Sequence, residues 1–305
     1  MTPDYFIFVP AYNVAQTLAD VLGRISPAVM ERAQVLVIDD GSKDDTRGAF
    51  DAFVAGNNCA DRLQYERFEK NSGYGAVVKR GISEGLRSGA KFIACLHGDG
   101  QYPAEKLDEF FAHLETARNQ LAKGLRNQPA GVSPEGGMLA LVQGSRRLVP
   151  GAARAGNMPL YKRLGGAFLT ALENLAFRQK LTDRHSGFIV YNAEFLKTID
   201  LAKLSPSFDI DLEIISIADA RGYRLAQHAQ AVGNDIQVGL LAGIARGYRE
   251  FRQPVPAGIG DGDNFQIDVE ARAEFREVKR LQEFCVIDDK SDAFLSWGVY
   301  IAAFL

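Results

Sequence analysis

The chain has 305 residues, 47% of them hydrophobic and 24% charged, with a net charge of −3. This is the balance of a globular protein with a large core, and without any basic run or basic-aromatic stripe it excludes nucleic acid as an expected partner. The 3 cysteines, Cys59, Cys95 and Cys285, are widely separated, which argues for a reducing cytoplasm and against a disulfide framework or structural zinc site.

Neither a signal peptide nor an apolar run of about 18 residues is visible, so no membrane span is expected. Tyr5 to Val9 reads as an apolar strand, broken by Pro10 and followed by Ala11, Tyr12 and Asn13. Leu18, Val21, Leu22 and Ile25 then recur at helical spacing. The second unit repeats the form. Val35 to Ile38 is a β-branched run that stops at Asp39, Asp40, Gly41 and Ser42, and Asp44, Asp45 and Thr46 open a helix into Ala49 to Val54. Two acids at a strand's carboxyl edge can cap and be solvated, or can accept hydrogen bonds from a base or ribose in a ligand crevice.

A third strand, Leu63 to Phe68, leads through Asn71, Ser72, Gly73, Tyr74, Gly75 and Ala76 into a helix carrying Val77, Val78, Ile82 and Leu86. An Asn-x-Gly-x-Gly turn before a helix frees backbone N–H groups for phosphate or sugar oxygens. The fourth strand, Phe92 to Leu96, ends in His97, Gly98, Asp99 and Gly100, with Pro103 at the start of the next helix. On an extended segment His97, Asp99 and Gln101 can face one way and offer Mg²⁺ or Mn²⁺ a ligand set. An ordinary βα turn, with Asp99 capping the helix, is the competing reading.

Four motifs in series, FVPAYN (Phe8 to Asn13), VIDDGSKDDT (Val37 to Thr46), NSGYGAVVKRG (Asn71 to Gly81) and HGDGQYP (His97 to Pro103), resemble those of the family 2 glycosyltransferases. VQGSRR (Val142 to Arg147), MPLYKRLGGAFLTALEN (Met158 to Asn174), DRHSGFIVYN (Asp183 to Asn192) and FDIDLEII (Phe208 to Ile215) are similar to a branch related to the dolichyl- and polyprenyl-phosphate sugar synthases. The resemblance implies a GT-A fold, that is, an α/β domain with a Rossmann-like, mostly parallel central sheet flanked by helices. It also implies a nucleotide pocket on Pro10, Ala11, Tyr12, Asp39 and Asp40, with Asn71, Gly73 and Asp99 beside it. The family's Asp-x-Asp metal motif falls on His97, Asp99 and Gln101; His97 for the first Asp is the departure.

Chemistry at such a site needs charge stabilisation on the leaving diphosphate, from a cation at Asp99 and from Arg146 after the strand Leu139 to Gln143. Arg146 can equally hold the sheet edge by an ion pair. The family's base or acceptor-positioning acid matches Asp211, then Glu213, in a segment that puts Asp209, Asp211 and Glu213 on one face if extended and pairs Asp209 with Glu213 if helical. Asp183, His185, Ser186 and Gly187 match the border of the sugar or acceptor pocket.

Residues 1–250 are expected to form the GT-A domain, its nucleotide half at about 1–120 and its acceptor half at about 138–250. Lys123 to Gly137 reads as a surface insertion and Val149 to Pro159 as a mobile loop. Residues 251–305 follow as linker, charged helix and apolar tail, Ala293 to Leu305, which reads as a core-docking tail, a membrane-surface anchor or a dimer contact; its lack of Lys and Arg favours docking or the contact between copies. The function implied is metal-dependent transfer of a sugar, with inversion, from a UDP- or GDP-sugar to a polyprenyl phosphate or cell-surface glycan precursor, in the cytoplasm at the inner face of the membrane. The alternative is a nucleotide-sugar-binding protein that has lost catalysis, to which His97 points.

Overall fold

The computed structural model describes residues 2–57, 59–125, 137–145, 148, 174, 181–183, 186–229 and 248–251. Arg146, His185, most of the expected insertion, the 149–159 loop and the C-terminal segment from 252 lie outside the described residues.

Strand β1 (Tyr5–Ala11) is buried on both faces, as its unbroken apolar run requires of a central strand. Tyr5, Ile7 and Val9 point into one half of the core and Phe6 and Phe8 into the other. β1 pairs in parallel with β2 (Ala33–Asp39) on one side and β4 (Phe92–Cys95) on the other, and β2 pairs in parallel with β3 (Leu63–Arg67). Beyond β4 the sheet continues with β6 (Ile189–Asn192), β5 (Leu139–Ser145), β7 (Arg224–Ala229) and β8 (Tyr248–Phe251), giving the order β3-β2-β1-β4-β6-β5-β7-β8. β6 runs antiparallel to both β4 and β5, while β5 and β7 are parallel. Both halves of the chain therefore share one mostly parallel sheet.

Helices cover both faces. One layer holds α1 (Leu18–Gly23), α2 (Pro27–Arg32), α3 (Thr46–Gly56) and α5 (Leu107–Leu125), with Tyr5 stacked on Phe111 at 3.8 Å between ring centroids. The opposite layer holds α4 (Tyr74–Ser88), α6 (Ala193–Leu196) and α7 (Ile210–Ala220). The segment left open between strand and helix is α7, in whose first turn the Glu213 N–H donates to the Asp209 carbonyl at 3.0 Å. Their carboxylates accept from the preceding loop, Asp209 from Ser205 Oγ at 2.9 Å and Glu213 from the Ser205 N–H at 2.7 Å. Residues 210 to 218 of α7 are all buried, polar ones included, which is why Asp211 and Glu213 lie inside the protein.

Among the described residues no helix is long and apolar enough to cross a membrane.

Candidate active site

The antiparallel register sets the start of β6 beside the ends of β4 and β5, since Ile189 pairs with both Cys95 and Gln143. The turn after β4, the loop before β6 and the N-terminus of α4 therefore gather at one sheet edge, the edge where open α/β sheets bind ligands. A cavity of about 250 Å³ opens there, lined by Tyr74, His97, Tyr102, Ser186, Gly187, Phe208, Asp211 and Leu212.

Asp211 is its acidic group. Tyr74 donates to Oδ2 at 2.7 Å and Tyr191, on β6, donates to Oδ1 at 3.0 Å. Burial pushes the Asp211 carboxyl up to about 6, against the pull of the two tyrosine hydrogen bonds. Its place in the first turn of α7 favours the anion. The walls are aromatic: Tyr74 stacks on Phe208 with ring centroids 5.4 Å apart and planes at 9°, and Tyr102 stacks on Phe188 behind. Phe208 is 82% exposed, so a large apolar ring stands at the mouth with one face open.

The polar turn after β4 divides. His97 turns inward between Tyr74 and Tyr102, and burial lowers its pKa below the ordinary histidine value. Asp99 and Gln101 stay on the surface, where Asp99 Oδ1 accepts the Gln101 N–H at 3.1 Å. Among the described residues no three His, Cys, Asp or Glu side chains converge on a common metal position.

Both acids after β2 hold backbone. Asp39 is fully buried and accepts from the Ser42 N–H at 2.7 Å and Tyr65 Oη at 2.6 Å. Asp40 accepts the Ser72 and Gly73 N–H groups at 2.6 and 2.9 Å, tying the β2 turn to the loop that opens α4. Gly41 makes that contact fit: its φ is +76°, and a Cβ there would stand 2.9 Å from the backbone of Lys70 and Asn71. Pro10 and Ala11 end β1 in the same region, and Tyr12 beyond them is 43% exposed.

Of the sequence-derived pocket residues, Ser186, Gly187, His97 and Asp211 line the cavity; Asp183 and Glu213 are buried outside its lining. The loop before β6 is held by amides: Gln143 Nε2 donates to the Ser186 carbonyl, and Gln227 Nε2 to that of Asp183, each at 2.9 Å. Tyr102, Tyr191 and Phe208 were not singled out in the sequence. Only tertiary contact brings Tyr191 to Asp211, whereas Phe208 opens a motif already noted.

The model of the family described as "Glycosyl transferase family 2" matches residues 6–199, which takes in the first six strands and the loop bordering the cavity. This chain is a family 2 glycosyltransferase. Among curated relatives, a dolichyl-phosphate beta-glucosyltransferase of Trichomonas vaginalis is 28% identical over 72% of this chain and 60% of its own length. An undecaprenyl-phosphate mannosyltransferase of Micrococcus luteus is 28% identical over 67% of this chain and 74% of its own. The chain thus spans less than two thirds of the Trichomonas protein's length. Among solved structures, glucosyl-3-phosphoglycerate synthase from Mycobacterium tuberculosis in complex with Mn²⁺, UDP and phosphoglyceric acid aligns with a TM-score of 0.46 and 16% identity, over 94% of this chain and 80% of that one.

Proposed function

We propose that this glycosyltransferase moves a hexose from a UDP- or GDP-sugar to a polyprenyl phosphate, with inversion, and that the transferred sugar occupies the cavity floored by Asp211. The observation that carries this reading is the pairing of a buried carboxylate with open aromatic faces. Sugar hydroxyls donate to a carboxylate, the ring's C–H faces lie against aromatic rings, and an ionised phosphate would be repelled from the same floor. The polyprenyl acceptor is supported by the names of the two curated relatives. Such a lipid lies in a bilayer, so the enzyme would work at a membrane face.

Displacing the nucleoside diphosphate builds positive charge at the anomeric carbon and negative charge on the leaving group. Asp211 faces the first, orienting the sugar through its hydroxyls and stabilising the positive charge as it grows. A phosphate acceptor that is already ionised needs no general base; a hydroxyl acceptor would give its proton to this same carboxylate. The exposed Tyr12 ring and the Asp40-tied loop with Asn71 and Gly73 are assigned to the nucleotide, with Asp39 fixing the turn from inside. Ser186 and Gly187 border the sugar.

The chemistry of the donor set at Asp99 fits a hard divalent cation. Its carboxylate is exposed, Oδ1 has one backbone partner, and the Gln101 amide lies two residues on. Asp99 and Gln101 would hold Mg²⁺ or Mn²⁺, with diphosphate oxygens and water completing the shell. Such an ion supplies Lewis-acid stabilisation of the leaving diphosphate. Calorimetric titration with UDP and GDP, with Mn²⁺ or with EDTA, tests the assignment. Asp99→Ala should lose about tenfold or more of the Mn²⁺-supported affinity and none of the affinity measured in EDTA. Equal affinities for the variant and the parent in Mn²⁺ would remove the ion from Asp99.

Phe208→Ala should raise the donor KM about tenfold through loss of its stacking face, while leaving thermal stability within about 0.5 kcal/mol, as at other exposed positions. Steady-state kinetics alongside a melting curve checks both. An unchanged KM would take the sugar away from this wall.

A further inference from the structure

We propose that Tyr74 and His97 are positioning residues for Asp211, joined to it in one directed hydrogen-bond line, and that Gly187 is a glycine because the imidazole needs the space a side chain would fill. This builds on the role of Asp211 proposed above.

The direction of the line follows from proton counting. An ionised carboxylate only accepts, so the 2.7 Å contact between Tyr74 Oη and Asp211 Oδ2 uses the single tyrosine proton. The 3.2 Å contact between Tyr74 Oη and His97 Nε2 must then run the other way, with Nε2–H donating to the tyrosine oxygen. His97 is thereby fixed as the Nε2–H tautomer, and a neutral imidazole suffices. Tyr191 holds the other carboxylate oxygen, so Asp211 is gripped at both ends and has no freedom to turn away from the cavity. The groups facing Asp211 from its neighbours are Tyr74 of α4, Tyr191 of β6 and the buried Cys95 thiol of β4, and no salt-bridge partner touches it among the described residues. Among the described residues this anion is held by two hydroxyl donors, so losing one should be felt.

The space for the imidazole is equally specific. A Cβ on Gly187 would stand 2.6 Å from His97 Nε2 and 3.3 Å from Tyr74 Oη, at the junction of the line. The same glycine's N–H donates to Tyr102 Oη at 3.0 Å, and His97 and Tyr102 pack in a T-shaped pair with centroids 5.0 Å apart. An aspartate at position 97 would bring a second acceptor to a hydroxyl that has only one proton to give. A glutamine there keeps a donor N–H on its terminal nitrogen.

The test is a titration of the full-length protein labelled with ¹³C at aspartate carboxyls, with the Asp211 signal assigned by its absence in Asp211→Asn. Tyr74→Phe and His97→Asp should each raise the pH at which Asp211 titrates, by about one unit for a lost donor to the charged form, and His97→Gln should stay near the parent. The acid limb of the pH–rate profile, read as nucleoside diphosphate release from UDP-glucose or GDP-mannose with undecaprenyl phosphate, should move by the same amount, with kcat falling more than KM rises. An unmoved Asp211 signal in Tyr74→Phe, or identical signals in His97→Gln and His97→Asp, would overturn the proposal. The histidine pair decides alone if Tyr74→Phe does not fold. Full turnover in Asp211→Asn would instead refute the role of Asp211 in transfer, and the carboxyl titration would still decide whether Tyr74 and His97 hold it.

Discussion

Asp211→Asn is expected to lower kcat by roughly 10²–10⁴-fold, the range for removing a positioned charged or proton-accepting group from a buried site, with a smaller loss of donor affinity from the weakened hydrogen bonds to the sugar hydroxyls. The variant keeps the shape of the floor and removes its charge, so the loss reports the transition state and not the packing. Because burial pushes the Asp211 carboxyl up to about 6, the parent enzyme's rate should climb as pH rises through that value and level off above it. The asparagine variant should lack that limb.

Stability should move the other way. A carboxyl whose folded pKa lies above its ordinary 3.8 contributes stability that is complete below 3.8 and is lost as pH rises through about 6. A shift of this size corresponds to roughly 2–3 kcal/mol, so the parent should melt at progressively lower temperature between about pH 4 and pH 7 and the variant should be flatter. Melting curves at several pH values, set beside turnover of the same samples, check both halves. Turnover near the parent's would sink the assignment of Asp211.

Phe8→Ala is expected to cost about 3–5 kcal/mol, a large part of the roughly 5–15 kcal/mol available to a folded protein. Phe8 has no exposed surface and lies in β1 opposite Leu36 of β2 and Cys95 of β4. Its ring lies so close to α4 that a Cβ on Gly81 would come within 2.2 Å of it. Helix and sheet are in backbone-to-ring contact there, so the cavity left by truncation cannot be filled by a neighbouring side chain. Urea unfolding measures the loss, and a value under about 1 kcal/mol would mean that α4 settles onto the sheet. Pro10, Ala11 and Tyr12 follow Phe8 directly, so nucleotide binding should weaken in the same variant.

How far the sequence reveals this fold depends on where polar residues are buried. β1 to β5 are visible because their apolar or β-branched runs are interrupted by turns, and α1, α3, α4 and α5 because one face of each is polar; the short α2, with Val29 as its one buried residue, shows no such pattern. β7 is hidden: Arg224, Gln227 and His228 are buried within it, and an RLAQHA run has neither alternation nor an apolar stretch. Gln227 earns its burial by accepting from the Thr182 N–H and donating to the Asp183 carbonyl, partners that no local pattern announces. α7 left strand and helix open because it is buried all round, which erases the 3.6-residue period. At the site, motifs located Asp211, Ser186, Gly187 and His97. They could not show that His97 and Asp99, two residues apart, would face different surroundings. The tyrosine that grips Asp211 from β6 is a contact between segments 20 residues apart.

The position of β6 has a consequence for how such enzymes can be divided. β6 enters the sheet between β4 and β5 only after the chain has laid down β5, so the sheet is closed by a strand that arrives late and runs backwards. A cut placed between the two halves would leave β4 as a bare edge of apolar residues, open to pairing with another molecule, and would strip the cavity of Ser186 and Gly187. The first half of the sheet therefore cannot be exchanged between relatives at the obvious midpoint of the chain; a graft has to carry β6 with the first four strands.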